Sequence, residues 1–327
     1  MKTKLTVRVL AILLAMLFLA ACTSTQPPES TATLQPTTQP TTLPTDQVTA
    51  TAEAIALPVK PLFATMDEYP RMDGSTACLP LMAQTLSATM NIALSSAEDL
   101  VSCTTTSYAY DALLNNFADI LLVYEPAEET WATINESPVE LEFTPIGRDA
   151  LVFIGNQSNA VNNLTEQQLM AIYKGATTNW KDVGGSDLAI APFQRASASG
   201  SQALFMKLFM KNETPMQAPT EFYPSGMGDL IEAVAEYNNT GAAIGFSVFY
   251  YASYMYSKPG LKFFNVNGIA PTDETIASGQ YPYTNDFYVV TRKDDPADSP
   301  AKILQNWIVS QAGKQAMLDS GYISVLK

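Results

Sequence analysis

The sequence predicts an α/β fold in two lobes over about residues 59–327. Three observations carry this. Short apolar runs alternate with amphipathic helical segments, the pattern of largely parallel sheets flanked by helices. The segment is long enough for two lobes of ordinary domain size. Aromatic residues make up 10% of the chain and are spread through this region, so a sizeable core is available.

The elements follow in chain order. Pro80 stands where a first-turn proline is tolerated and precedes Leu81-Met82-Ala83-Gln84-Thr85-Leu86, a helix. Tyr108 to Asn115 predicts a second. Asp119 to Tyr124 is a continuous apolar run, as expected for a buried parallel strand, and Ala150 to Ile154 is another. Thr165-Glu166-Gln167-Gln168 is a capping box, after which Leu169, Ile172 and Tyr173 share one helix face. Gln202 to Met210 and Asp229 to Tyr237 predict further helices, and Ala242 to Phe246 and Phe287 to Thr291 further strands. Ile303, Leu304, Trp307 and Ile308 open a last helix, with Gly321 as its stop. Trp180 is expected in the core.

The N-terminus is of another kind. Lys2, Lys4 and Arg8 precede an apolar run from Val9 to Ala21, then Cys22. Residues 1–21 therefore read as a secretory signal, too short to span a bilayer comfortably. Leu19-Ala20-Ala21-Cys22 is a lipobox-like end, which predicts a palmitate-type lipid on Cys22; an ordinary signal with a chance Cys is the alternative. Residues 22–58 are dominated by Thr, Pro, Ser, Gln and Ala and predict a disordered tether. At about 3.1 Å per residue it would reach on the order of 100 Å. The chain is thus expected at the cell membrane, lipid-anchored on the extracytoplasmic face.

Charge and composition prune the function. Net charge is −14, and removing Lys2, Lys4 and Arg8 with the signal leaves −17. An acidic surface argues against nucleic acid as a partner but permits a small anion held by local donors. The chain has no histidine, which excludes Ser-His-Asp, Cys-His and His-metal sites. After Cys22 only Cys78 and Cys103 remain. They are too few for a Cys₄ zinc site, and either pair as one disulfide or stay as separate buried thiols. No metal, cofactor or catalytic residue is expected.

Three segments place hydroxyl residues just before a predicted helix. These are Asp73-Gly74-Ser75-Thr76-Ala77, Thr104-Thr105-Thr106-Ser107 and Arg195-Ala196-Ser197-Ala198-Ser199-Gly200-Ser201. A helix start leaves N–H groups unpaired and carries partial positive charge, Ser and Thr add donors, and Gly allows close approach. Each segment alone could be an ordinary N-cap. Converging at one end of an α/β sheet, with Arg195 as a positive fork, they would hold an oxyanion.

At these residues the chain resembles the phosphate-binding proteins of ABC transporters, within the type II periplasmic-binding-protein superfamily. The resemblance covers most of residues 68–327. It runs through Asp149-Ala150-Leu151-Val152-Phe153-Ile154, Val161-Asn162-Asn163-Leu164-Thr165, Thr178-Asn179-Trp180-Lys181-Asp182-Val183-Gly184-Gly185 and Ala243-Ile244-Gly245-Phe246. Its most specific match is Arg195 followed by Ser199, Gly200 and Ser201, which in that family are phosphate donors. The resemblance further implies contacts from Thr76 and Ala77, assisted by Ser75. The family's second loop is Gly-rich, whereas here it reads Thr105-Thr106-Ser107-Tyr108; Thr106 or Ser107 is the implied contact. Some members place an Asp after the third strand to accept the proton of hydrogen phosphate. Here Tyr124 and Glu125 stand there: either Tyr124 bonds the anion by its hydroxyl, or a shift of one residue makes Glu125 the acceptor.

The resemblance implies a two-lobed binding protein with the ligand in the interlobe cleft. Lobe I would comprise 59–147 plus 280–327, and lobe II 148–279. Inorganic phosphate or a similar oxyanion is the expected ligand, an ABC permease and ATPase the partners, and a monomer the expected state. A surface lipoprotein using the fold as a sensor or interaction module is the rival. An enzyme acting on phosphate esters is disfavoured by the absence of histidine. Arg71 and Arg148 are more readily ion-paired residues than cleft residues.

Overall fold

A computed structural model describes residues 60–327 apart from 198, 212 and 240. The signal, Cys22 and the tether lie outside the described residues. Ten strands are formed among the described residues: β1 (Met72–Gly74), β2 (Ile120–Tyr124), β3 (Leu141–Asn156), β4 (Asn163–Leu164), β5 (Ala191–Pro192), β6 (Ala243–Val248), β7 (Leu261–Phe263), β8 (Asn265–Val266), β9 (Thr284–Arg292) and β10 (Ile323–Ser324). The main sheet runs β1-β2-β9-β3-β6-β5, with β7 and β10 also on β3. Strand β3 is its spine. Residues 141–150 pair with β9, and 151–156 pair with β6 and β7.

The α/β class holds, but the expectation of largely parallel sheets is corrected. Pairs β1–β2, β5–β6 and β4–β8 are parallel, whereas β9 and β3 run antiparallel to their neighbours. The continuous apolar run of β2 does not report strand direction. It reports cover on both faces: Ile120, Leu122 and Tyr124 enter the main core, while Leu121 and Val123 enter a second one with Tyr110, Leu113 and Val290. Burying each such side chain contributes about 1.5–3 kcal/mol whichever way the strand runs.

The helices are α1 (Leu79–Met90), α2 (Leu94–Leu100), α3 (Thr106–Leu114), α4 (Glu128–Glu136), α5 (Glu166–Tyr173), α6 (Gly200–Leu204), α7 (Met227–Glu236), α8 (Asp273–Ala277), α9 (Pro300–Ile308) and α10 (Gln311–Asp319). The α5 capping box forms as its sequence dictates: Thr165 Oγ1 accepts from Gln168 N (3.1 Å), and Gln168 Oε1 accepts from Thr165 N (2.9 Å). Helix α6 continues as a π-helical stretch, Phe205–Met210. The last predicted helix is two. Ser310 interrupts it, its hydroxyl accepting from Gly313 N (3.4 Å) to cap α10, and Gly321 follows with φ +81°. Trp180 is buried, stacks on Phe264 and donates from Nε1 to the Ala242 carbonyl (2.9 Å).

Strand β1 has no room for side-chain bulk at its end. A Cβ on Gly74 would stand 1.9 Å from the Leu122 carbonyl oxygen, a backbone atom of the neighbouring strand. Gly74→Ala is therefore expected to destabilise the fold by about 2 kcal/mol or more, in the range of overpacked sites, read as a lowered urea midpoint; an unchanged midpoint would show that β1 can slide.

Candidate functional site

Beside the sheet lies a cleft of about 580 Å³ lined by all three predicted hydroxyl segments. Ser75, Thr76 and Ala77 come from the turn after β1, and Thr106 from the start of α3. Arg195, Ser199, Gly200 and Ser201 come from the segment that follows β5 and enters α6. These walls meet closely: a Cβ on Gly200 would stand 2.5 Å from Thr106 Oγ1. Only a glycine lets the two segments approach so near.

The first two segments are tied together from behind. Buried Asp73 accepts from Gly74 N and Thr104 N (2.7 Å each) through Oδ1 and from Thr104 Oγ1 (2.6 Å) through Oδ2. In front, Ser75 Oγ meets Thr106 Oγ1 at 2.9 Å and accepts from Tyr124 N at 3.0 Å. Thr105 sits between these anchors at φ +79°, ψ +167°. That backbone region is nearly reserved for glycine and costs another residue about 1–3 kcal/mol. The loop thus holds a threonine in a conformation that suits glycine.

Arg195 is the positive charge of the site. Its backbone N–H donates to Gln202 Oε1 (2.9 Å), and Nη2 donates to the Ser225 carbonyl (2.9 Å). Nε and Nη1 are buried without a partner among the described residues, as is Ser201 Oγ. Burial lowers the Arg195 pKa, partly offset by Asp229, but a guanidinium stays protonated. Buried unpaired donors are costly, each worth about 1–3 kcal/mol, unless a ligand takes them up. An oxyanion is the chemical complement of this set.

Tyr124 lines the same cleft, and its hydroxyl donates to Asp149 Oδ2 (2.5 Å). Asp149 is buried, and desolvation pushes its carboxyl up to about 6, against the hydrogen bonds from Tyr124, Ala150 and Tyr250. Glu125 stands elsewhere. It forms an ion pair with Lys207 and lines a neighbouring hollow that shares Arg195 and Ala196 with the cleft. Ser107 is also outside the cleft lining and accepts from Thr130 Oγ1 (3.2 Å). Arg71 pairs with Asp119 (2.7 Å) and Arg148 with Asp286 (2.8 Å), both away from the cleft. The possible disulfide is not formed: Cys78 and Cys103 are free, and Cys103 Sγ reaches Thr76 Oγ1 at 3.8 Å. Burial raises both thiols, which keeps them protonated at neutral pH. Among the described residues no group of three carboxylate or thiol side chains is placed to hold a metal.

One wall was missed in the sequence. Ser225 to Asp229 lines the cleft at the start of α7, with Tyr251 and Tyr256 beside it. Ser225-Gly226 before a helix repeats the hydroxyl-and-glycine pattern of the other segments, and that signal was available. Asp229 accepts from Ser225 Oγ (2.7 Å) and Gly226 N (2.8 Å), which holds its carboxyl below the usual range.

With this fold and cleft, the family pattern described as a PBP superfamily domain matches residues 40–311. The chain belongs to the PBP superfamily. Similar curated relatives are the phosphate-binding protein PstS of Borreliella burgdorferi and that of Bacillus subtilis. The first is 29% identical, covering 56% of this chain and 65% of the relative; the second is 26% identical, covering 61% and 62%. The matches thus span slightly less than two thirds of those relatives' length. Among solved structures, an ABC-type phosphate transport receptor from Vibrio cholerae is 25% identical, with a TM-score of 0.58 over 78% of this chain and 99% of that one. A Clostridium perfringens substrate-binding protein solved with bound phosphate is 22% identical, with a TM-score of 0.61 over 79% and 99%. These likenesses bear out the family resemblance and the fold.

Two expectations follow from the geometry. Thr105→Gly should raise the urea midpoint, because relief of the backbone strain outweighs the roughly 0.5–1 kcal/mol of added chain entropy; a lowered midpoint would show an unstrained loop. Asp149 titrates at about 6 when folded and near 3.8 when unfolded, so the folded state holds the extra proton between those values. Its contribution to stability is greatest below pH 3.8 and is lost as pH rises through 6. The stability of the natural chain minus that of Asp149→Asn should therefore fall between about pH 4 and pH 6.5, by denaturation at stepped pH; a constant difference would show that Asp149 does not titrate there.

Proposed function

We propose that this chain is an extracytoplasmic solute-binding protein, lipid-anchored through Cys22, that captures a small oxyanion, phosphate first, for uptake by an ABC permease and its ATPase. The observation that carries the reading is the set of buried, unpartnered donors at Arg195 Nε, Arg195 Nη1 and Ser201 Oγ, in a cleft also lined by Ser75, Thr76, Thr106 and Ser199. Such a set binds a tetrahedral anion by charge-assisted hydrogen bonds and performs no chemistry on it. The names of the relatives, phosphate-binding protein PstS, support the choice of phosphate.

The reading assigns residues 59–147 plus 280–327 to lobe I and 148–279 to lobe II. Segments from both then line the cleft, so a bound anion favours the arrangement that brings Arg195 and Gly200 to Thr106. Among the described residues no helix is long and apolar enough to cross a membrane, and the anchor rests on the lipobox at Cys22. The mature chain acts as a monomer in this reading.

Calorimetric titration of the mature chain with phosphate is the test. Saturable heat is expected, and Arg195→Ala should weaken binding by about 2–5 kcal/mol, the loss typical of a buried charge partner. The absence of both heat and a thermal shift at millimolar phosphate would overturn the uptake role in favour of a sensor or interaction module. Unchanged affinity in Arg195→Ala would show the anion to bind elsewhere.

A further inference from the structure

The cleft lining has two chemical characters. One part carries the donors already described, Arg195 and Ser201 foremost. Another part is aromatic and apolar. Tyr251 and Tyr256 both line the cleft, with rings nearly parallel (10°) and centroids 5.8 Å apart, and Met227 lies with them in the lining. Gly228 in α7 makes room for the pair: a Cβ there would stand 3.0 Å from Tyr256 Cζ and 3.3 Å from Tyr251 Oη. Tyr108 adds a third ring from α3, with 62% of its surface exposed. Asp229 adds an acceptor. Its Oδ2 is taken by Ser225 Oγ and Gly226 N, which leaves Oδ1 to receive a proton from a ligand. Arg195 joins the two parts, because its Nη2 donates to the carbonyl of Ser225 (2.9 Å).

We propose that this cleft accepts phosphate monoesters of polyols or sugars, with the phosphoryl group on Arg195 and Ser201 and the carbon skeleton against Tyr251, Tyr256 and Asp229. This rests on the oxyanion reading above and extends its ligand from a bare anion to an ester. The cleft of about 580 Å³ falls among pockets that hold organic ligands, roughly 300–1,000 Å³. Parted walls do not account for that space, since Gly200 already lies against Thr106. Inorganic phosphate presents only oxygens. It gains nothing from tyrosine faces or Met227, and Asp229 repels it. A polyol chain or sugar ring complements the same lining. Its C–H groups pack on the aromatic faces, and its hydroxyls donate to Asp229 Oδ1 in charge-assisted bonds. Ser225 and Gly226 donate to Asp229 and hold its carboxyl below the usual range, so at neutral pH it accepts and does not donate. An ester without hydroxyls would leave that carboxylate to water alone.

The experiment measures the affinities of the mature chain for inorganic phosphate, glycerol 3-phosphate and glucose 6-phosphate at neutral pH by calorimetry, in the natural sequence and in two variants. At least one ester should bind within about tenfold of inorganic phosphate, or more tightly than it. Tyr256→Leu removes one ring of the pair and should cut the ester-to-phosphate affinity ratio about fivefold or more. Asp229→Asn should lower the same ratio from both sides. The Asn oxygen is still required by Ser225 Oγ and Gly226 N, so its amide N–H group turns to the cleft. The ester then loses a charged acceptor, and inorganic phosphate loses a repulsion. The two positions lie on separate elements, so either variant can decide alone. If inorganic phosphate binds and both esters bind more than about tenfold more weakly, the proposal is overturned and the oxyanion reading stands. An ester that binds well with a ratio unchanged in the variants overturns it equally, because the carbon skeleton then lies elsewhere. If the natural chain binds neither phosphate nor ester, the oxyanion reading itself fails and this inference with it.

Discussion

A guanidinium buried with two of its donor atoms unpaired is the constraint on which this structure turns. Arg195 is held by the Ser225 carbonyl and, through its backbone, by Gln202. Those two contacts fix where the segment after β5 ends and where α6 and α7 begin. Burying a cation without a full set of partners is unfavourable in any fold. It persists because the surroundings are over-determined. Ser199 caps α6, Gly200 lies against Thr106, and Ser225 is pinned through Asp229.

The sheet makes that arrangement possible. Strand β3 runs sixteen residues and changes partners near its middle. One backbone thereby serves both halves of the sheet, and Asp149 sits at the change. Its side chain receives Tyr124 from β2 and Tyr250 from the segment after β6. A single buried carboxylate thus joins β2, which brings Tyr124 to the cleft, to the segment after β6, which brings Tyr251. Asp73 does similar work nearby, tying the turn after β1 to the loop before α3.

Much of this was legible in the sequence, for identifiable reasons. Local chemistry reads well: the Thr165 capping box and the Pro80 helix start are encoded within a few residues of each other. The three hydroxyl segments read well because each combines a helix start with small polar residues. Strand direction did not, because an apolar run records burial on two faces and nothing about its neighbour. The first half of β3 was missed because Glu142, Thr144 and Pro145 dilute its pattern and a bulge between Pro145 and Gly147 breaks the period of two. The choice between Tyr124 and Glu125 depended on which way one strand end turns. Sequence cannot say that Lys207, eighty-two residues on, draws Glu125 away.

That ion pair has a consequence for the environment of the protein. Glu125 follows β2, and Lys207 lies in the helical stretch after α6, so the segments that enclose the cleft also meet outside it. Both side chains retain contact with water, so dissolved salt weakens their attraction, whereas the bond from buried Arg195 to the Ser225 carbonyl is largely shielded. The molecule therefore carries two fastenings of different character, one indifferent to dissolved salt and one that loosens as its concentration rises.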